Sequence, residues 1–293
     1  MSADPQTPRA ILFGGEKGGS GKSTAARLVL DRLRNREGRT VAAYDGDGSV
    51  GQLVQYHGER NTNGKLVAEQ DPIRGVVPFD IRDEKQKDRI LEDLMGRADS
   101  VDAVVLDLPG GALDELGEMS RHGAAEIYRD LRGADFAPTT VLALTPMLAS
   151  AKAAKRLADV LDGVTDWVVV KNLDNADETQ DFERFYGQGK ARKQIHQNNG
   201  IEIVLPALAK RVYAELDAAS LPASAAMDAS RSPLGRRDRK HVLEWTEDVD
   251  AELDRAAAYL GLTPQSNAAT TGNGATGDGT GTGQGRTRRE AHA

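Results

Sequence analysis

At 293 residues, with 39% hydrophobic and 28% charged residues, the chain has the make-up of a globular protein with room for one large domain and extensions. Lys+Arg 38 against Asp+Glu 45 gives a net charge of -7, which argues against wholesale attraction to nucleic acid and leaves such binding to a local patch. The absence of cysteine excludes disulfides, thiolate nucleophiles, Cys-ligated zinc and iron–sulfur clusters.

In chain order, residues 1–8 read as a flexible N-terminus without a signal-peptide core. No apolar run reaches the roughly 18 residues a membrane span needs, so a cytoplasmic protein is expected. β-prone runs follow at 10–13, 41–44, 76–79, 103–108, 141–145, 167–170 and 201–205. Several are apolar without alternation, as strands covered by helices on both faces are. Between them, 23–36, 84–97, 148–161 and 177–197 carry helical spacing and exposed charge. The pattern predicts an α/β fold, a doubly wound, mostly parallel sheet with helices on both faces.

Residues 111–135 are helical in pattern and long for their place, a candidate partner surface. Trp245, Val249, Leu253 and Leu260 share a helix face, while the polar face carries Glu244, Glu247, Asp248, Asp250, Glu252 and Asp254. This predicts a final helix docked on the core, since a membrane-seeking helix carries Lys and Arg on its polar face. From Pro264 onward there is no Leu, Ile, Val, Met or aromatic residue. Residues 263–293 are therefore expected to be a disordered Gly/Thr-rich tail, leaving 9–262 as the folded domain.

The densest chemical signal is Gly14-Gly15-Glu16-Lys17-Gly18-Gly19-Ser20-Gly21-Lys22-Ser23-Thr24. It lies between an apolar strand and a helix, the setting of a phosphate-binding loop. Gly18, Gly19, Ser20, Gly21, Lys22, Ser23 and Thr24 would cradle the nucleotide. Glycines let successive N–H groups turn inward, and the helix N-terminus adds the positive end of its dipole. Lys22 suits the β/γ-phosphates, and the Ser23 hydroxyl suits Mg²⁺. The second strand ends in Asp45-Gly46-Asp47, two carboxylates where a nucleotide–metal site is expected. Val104-Val105-Leu106-Asp107-Leu108-Pro109-Gly110 is an apolar strand ending in an acid, the Walker B form, which puts Asp107 on Mg²⁺.

Glu16 stands where the standard loop has its first glycine. The form Lys17-Gly18-Gly19-Ser20-Gly21-Lys22-Ser23 resembles the deviant Walker A motif of the ParA/MinD family, and the later motifs extend the likeness over roughly 9–260. The resemblance implies an ATPase that binds ATP and Mg²⁺, hydrolyses ATP slowly and forms a homodimer on binding it. Lys17 would cross to the partner's nucleotide and act beside Lys22 and Asp47. Asp47 would orient the attacking water, and Asp45 would support the Mg²⁺ shell held by Ser23 and Asp107. Gly48-Ser49 replaces the Pro-Gln that family members often carry. Asn172 looks like the family's adenine-reading asparagine. Leu205-Pro206, Arg211 and Ser220-Leu221-Pro222 resemble the segment closing the base pocket, with Pro206 at the base.

Among family members, a first strand so close to the start of the chain points to plasmid partition or plasmid-stability (StbB-type) ATPases, acting in partition, stability or transfer of DNA. A MinD-like positioning ATPase acting through a protein partner is one alternative. A dethiobiotin-synthetase-like ligase is another, without a visible motif for a second substrate. The expected partners are non-specific DNA, a stimulating adaptor protein, or both. Arg231, Arg236, Arg237, Arg239 and Lys240, diluted by Asp228 and Asp238, form a candidate phosphate-contacting patch. A solvated loop and helix start fits them equally well.

Overall fold

The computed structural model describes residues 7–15, 18–48, 51–112 and 123–265. Glu16, Lys17, Ser49, Val50, residues 1–6 and 113–122, and the tail from 266 lie outside the described residues. The first strand, β1 (Arg9–Gly14), leads into α1 (Lys22–Asp31), which runs on through a π-type turn (Arg32–Arg36). Next come β2 (Val41–Asp45), α2 (Gln52–His57), β3 (Val77–Pro78), α3 (Glu84–Met95) and β4 (Ala103–Asp107). They are followed by α4 (Ala124–Gly133), β5 (Ala137–Leu144), α5 (Leu148–Val160), β6 (Asp166–Asn172), α6 (Lys190–Gln197) and β7 (Gly200–Leu205). The last helices are α7 (Lys210–Ala219), α8 (Ala223–Met227), α9 (Arg236–Arg255) and α10 (Ala257–Leu260).

The seven strands form one parallel sheet in the order β3-β2-β4-β1-β5-β6-β7. The doubly wound, helix-covered α/β architecture expected from the sequence is what the chain adopts. Each central strand is apolar on both faces because each face has its own layer. Ala10, Leu12, Tyr44, Leu106 and Trp167 pack against α3, α4, α5 and α6. Their neighbours Ile11, Phe13, Ala43, Val105 and Val168 pack against α1, α2 and α7 to α10. Alternation is thus present along each strand, but between two cores rather than between core and water.

Strand ends shift by one or two residues from expectation, and two elements differ more. β5 starts at Ala137 rather than 141, because Pro138, Thr139 and Thr140 look unlike a buried strand. Both threonines are nevertheless fully buried, with their hydroxyls satisfied: Thr139 donates to Tyr259 O at 2.6 Å, and Thr140 meets Tyr128 Oη at 3.1 Å. The helix expected over 177–197 is broken into short turns at Thr179–Phe182 and Glu183–Gly187 before α6. Gly187 and Gly189 interrupt its helical propensity there.

The final helix docks as expected, burying Trp245, Val249 and Leu253. Its acidic face is not all solvated, since fully buried Arg32 pairs with Glu37, Asp250 and Asp254, and Arg36 pairs with Asp250. Of the segment proposed as a partner surface, α4 instead packs Ala124, Ile127, Tyr128 and Leu131 into the core. Among the described residues no helix is long and apolar enough to cross a membrane. The order of strands places β1 between the two directions of winding, and there the carboxyl ends of the strands open a crevice.

Candidate functional site

In that crevice lies a cleft of about 320 Å³. Gly18, Gly19, Gly21, Lys22, Ser23 and Thr24 form one side of it, at the N-terminus of α1. Asp47, Asp107 and Asn172 also line it, Asn172 against the loop itself, and Pro206 completes the lining. Ser20 is packed under the loop, 3% exposed, and Asp45 is fully buried beneath the acid pair. Lys17 lies outside the described residues.

The loop is held by backbone geometry that its sequence requires. Gly21 has φ 97°, and a Cβ there would stand 2.4 Å from Asn172 Nδ2, so a side chain is excluded twice over. Asn172 Nδ2 donates to Ser20 O at 3.0 Å, and its Oδ1 accepts from Asp174 N–H at 3.1 Å. Asn175 Nδ2 donates to Gly19 O at 3.0 Å. The amide expected to read adenine therefore already ties the end of β6 to the phosphate loop. Asn175, which local sequence does not mark, does the same one turn on.

Asp45 also has a backbone part that the motif does not announce. Its Oδ2 accepts from the N–H groups of Leu53 at 2.8 Å and Val54 at 3.1 Å, and its Oδ1 from Asp47 N–H at 3.1 Å. It caps the start of α2 and fixes the backbone that carries Asp47. Both of its oxygens are engaged by backbone N–H groups before any ion arrives. Gly51 makes this packing possible, since a Cβ there would lie 2.1 Å from either carboxylate oxygen.

Asp107 is different. It is 3% exposed, and its Oδ1 has no hydrogen-bond partner. Burial first, and then the neighbouring Asp45 charge, push its carboxyl up to about 7, against the Ser23 hydrogen bond and the Lys22 charge. Burial likewise lowers the Lys22 ammonium, while Asp107 and Asp47 favour its charged form. The buried carboxylates of Asp45 and Asp107 disfavour each other's ionised form, and the Lys22 and Arg27 charges offset this at Asp107 only in part. Among the described residues no three His, Cys, Asp or Glu side chains form a ready-made cation cage. An unpartnered Asp107 oxygen beside the Ser23 hydroxyl suits Mg²⁺, which keeps several waters and is held by a few protein groups together with substrate phosphates.

The other end of the cleft is apolar: Leu205, Pro206, Leu208, Tyr213 and Trp245 line it. Trp245 Nε1 donates to Pro206 O at 2.8 Å, so α9 pins the loop after β7. Tyr213 and Trp245 are missed by motif reading. Each looks like an ordinary helix-face residue, and only the docking of α7 and α9 brings it to the cleft. Arg211, expected near the base, is exposed and paired with Asp238. The cleft thus joins a polar end, rich in N–H groups, to a flat apolar end, a shape and chemistry that match a nucleotide.

Residues 9–128 match the family model described as ATPase MipZ. That stretch contains the phosphate loop, Asp45, Asp47 and Asp107, and the match bears out the ParA/MinD resemblance. No curated protein matches the chain. Among solved structures, a ParA family ATPase from Chlorobium tepidum TLS aligns at 16% identity and TM-score 0.48, covering 83% of this chain and 99% of that one. The septum site-determining protein MinD from Pyrococcus horikoshii OT3, complexed with Mg-ADP, aligns at 15% identity and TM-score 0.46, covering 83% and 96%. A plasmid partition protein from Borrelia burgdorferi aligns at 11% identity and TM-score 0.40, covering 81% and 97%.

Proposed function

We propose that this chain, whose residues 9–128 match the MipZ ATPase model, is a Mg²⁺-dependent ATPase of the ParA/MinD type that works as a slow, dimeric switch in the cytoplasm and positions DNA cargo. The observation that carries this reading is the buried, unpartnered oxygen of Asp107 beside Ser23 and Lys22. A buried oxygen left unpaired costs about 1–3 kcal/mol, and a bound Mg²⁺–nucleotide would satisfy it. When bound, the ion would neutralise developing charge on the phosphates.

The chain's own groups take the remaining roles. Backbone N–H groups of 18–24 and the Lys22 ammonium hold the phosphate chain, while Ser23 and Asp107 hold the ion. Asp47 is exposed at the cleft, and its backbone is fixed by Asp45, which suits it to orient an attacking water. Leu205, Pro206, Tyr213 and Trp245 receive the base. Lys17 acts across the dimer interface. Arg231, Arg236 and Arg237 are exposed and have no ion pair among the described residues. Arg236 and Arg237 also open α9, where cations oppose the helix dipole. That favours a phosphate ligand over a purely structural part, and hence non-specific DNA as partner.

The test is calorimetric titration with Mg-ATP, phosphate release and light scattering. Wild type should bind ATP and dimerise with it. Lys22→Ala should lose about a hundredfold in affinity, the loss of a charge-assisted contact. Asp47→Ala should keep affinity and lose about a hundredfold in turnover. Unchanged ATP affinity in a folded Lys22→Ala variant would sink the reading.

A further inference from the structure

The three buried arginines among the described residues are Arg9, Arg27 and Arg32. Arg9 pairs with Asp166, and Arg32 with Glu37, Asp250 and Asp254. Arg27, 6% exposed, makes no close ion pair among the described residues, and the carboxylate that feels its charge, Asp107, does so at longer range. Its guanidinium carbon lies 3.7 Å from the centroid of the Tyr56 ring and 5.9 Å from that of Tyr213. Its Nη2 donates to Tyr213 Oη at 3.0 Å and to Thr24 Oγ1 at 3.3 Å, while Nη1 has no partner. Aromatic faces soften the burial of a cation without neutralising it.

A negative charge closer than Asp107 has an evident place. Arg27 sits one turn along α1 from the phosphate loop, and both hydroxyls it holds line the cleft. Because Thr24 and Tyr213 accept from Arg27, each keeps its own O–H for another acceptor. The space beside Arg27, about 20 Å³, holds a single water and no phosphate. The guanidinium therefore acts through the two hydroxyls and through its field, which also favours the ionised form of Asp107.

We infer that Arg27 is a positioning residue for the nucleotide: a buried cation whose counter-charge is the bound phosphate chain, and which turns the Thr24 and Tyr213 hydroxyls towards it. The inference rests on the nucleotide reading of the cleft. Arg27→Met replaces an unpaired buried charge by an apolar side chain of similar reach, a change that often leaves stability equal or higher.

The experiment measures ligand-free melting temperature and ATP affinity for wild type, Arg27→Met, Arg27→Lys and Tyr213→Phe. Arg27→Met should bind ATP about tenfold more weakly while melting no lower than wild type without ligand. Arg27→Lys should recover part of the affinity, having the charge but not the fork, and Tyr213→Phe should weaken binding by a smaller factor. Affinity unchanged in both Arg27→Met and Tyr213→Phe overturns the inference. So does a loss matched by a lower ligand-free melting temperature that lysine does not rescue, which marks an ordinary packing residue. Wild type with no ATP affinity removes the parent reading as well, whereas binding wild type with equally binding variants removes this one alone.

Discussion

The phosphate end and the base end of the cleft are built in opposite ways. The phosphate end is continuous in sequence from β1 through the loop to α1, and its two acids sit opposite each other because β2 pairs with β4 in the register Asp45↔Asp107. The base end is gathered from the end of β6, the loop after β7, α7 and α9. Its central contact, Trp245 to Pro206, spans 39 positions. The first depends on conformations that particular residues demand, the second on how helices dock. Damage to the first should therefore come from small backbone intrusions, and damage to the second from loss of side-chain surface.

The largest effect should come from Gly51→Ala. The added methyl would sit 2.1 Å from both Asp45 oxygens, which cannot move away without releasing three backbone N–H groups. Overpacking and lost hydrogen bonds together should destabilise the protein by about 3 kcal/mol. The ligand-free melting temperature and ATP turnover should fall together, since Asp47 loses its anchor. A variant as stable as wild type would mean that the phosphate end is not braced by Asp45.

Trp245→Phe should have a smaller effect of a different kind. It keeps an aromatic wall and removes the donor to Pro206 O, a contact worth about 1 kcal/mol. ATP and ADP should weaken alike, by severalfold, with turnover at saturation unchanged, the pattern of uniform binding. A fall in turnover at full saturation would instead tie α9 to the chemistry and blur the distinction between the two ends.

The same contrast accounts for what was legible in the sequence. Lys22, Ser23 and Asp107 could be placed because strand, loop and helix signals adjoin them, and the seven strands showed as apolar runs. Asn175, Arg27 and Tyr213 could not, because their partners, Gly19 O, the two tyrosine rings and the Arg27 guanidinium, come from other elements. The hold of Asp45 on the backbone is hidden for a related reason: an acid at a strand end shows no partner in sequence, whereas here the following helix begins on its carboxylate. The start of β5 is hidden because threonine looks polar in sequence, whereas here Tyr128, Thr165 and Tyr259 supply its hydrogen-bond partners.

The smallest expected effect per residue lies beyond the base end. The ion pair of Arg211 with Asp238 joins α7 to the first turn of α9, so the exposed Arg236 and Arg237 belong to the same lobe that closes over the base. Lys240 is tied to Glu244 at 3.3 Å, and Arg239 donates to Leu234 O at 2.5 Å, which leaves Arg231, Arg236 and Arg237 to meet phosphates. Three cations on an acidic chain bind duplex weakly, because non-specific affinity follows the number of phosphates neutralised. An ATP-dependent dimer would carry two such sets on one particle and raise the effective concentration for the second contact. Fluorescence anisotropy with a labelled duplex, with and without ATP, should show sequence-independent binding that requires ATP and falls steeply with salt. Arg236→Ala with Arg237→Ala should lower the slope of log affinity against log salt by about 2 per subunit, close to one for each lost phosphate contact. The double variant should keep wild-type ATP affinity, because neither arginine lines the cleft. Wild type that stays unbound with ATP at low salt would move the cargo contact to a protein adaptor and leave the basic turn as a solvated helix start.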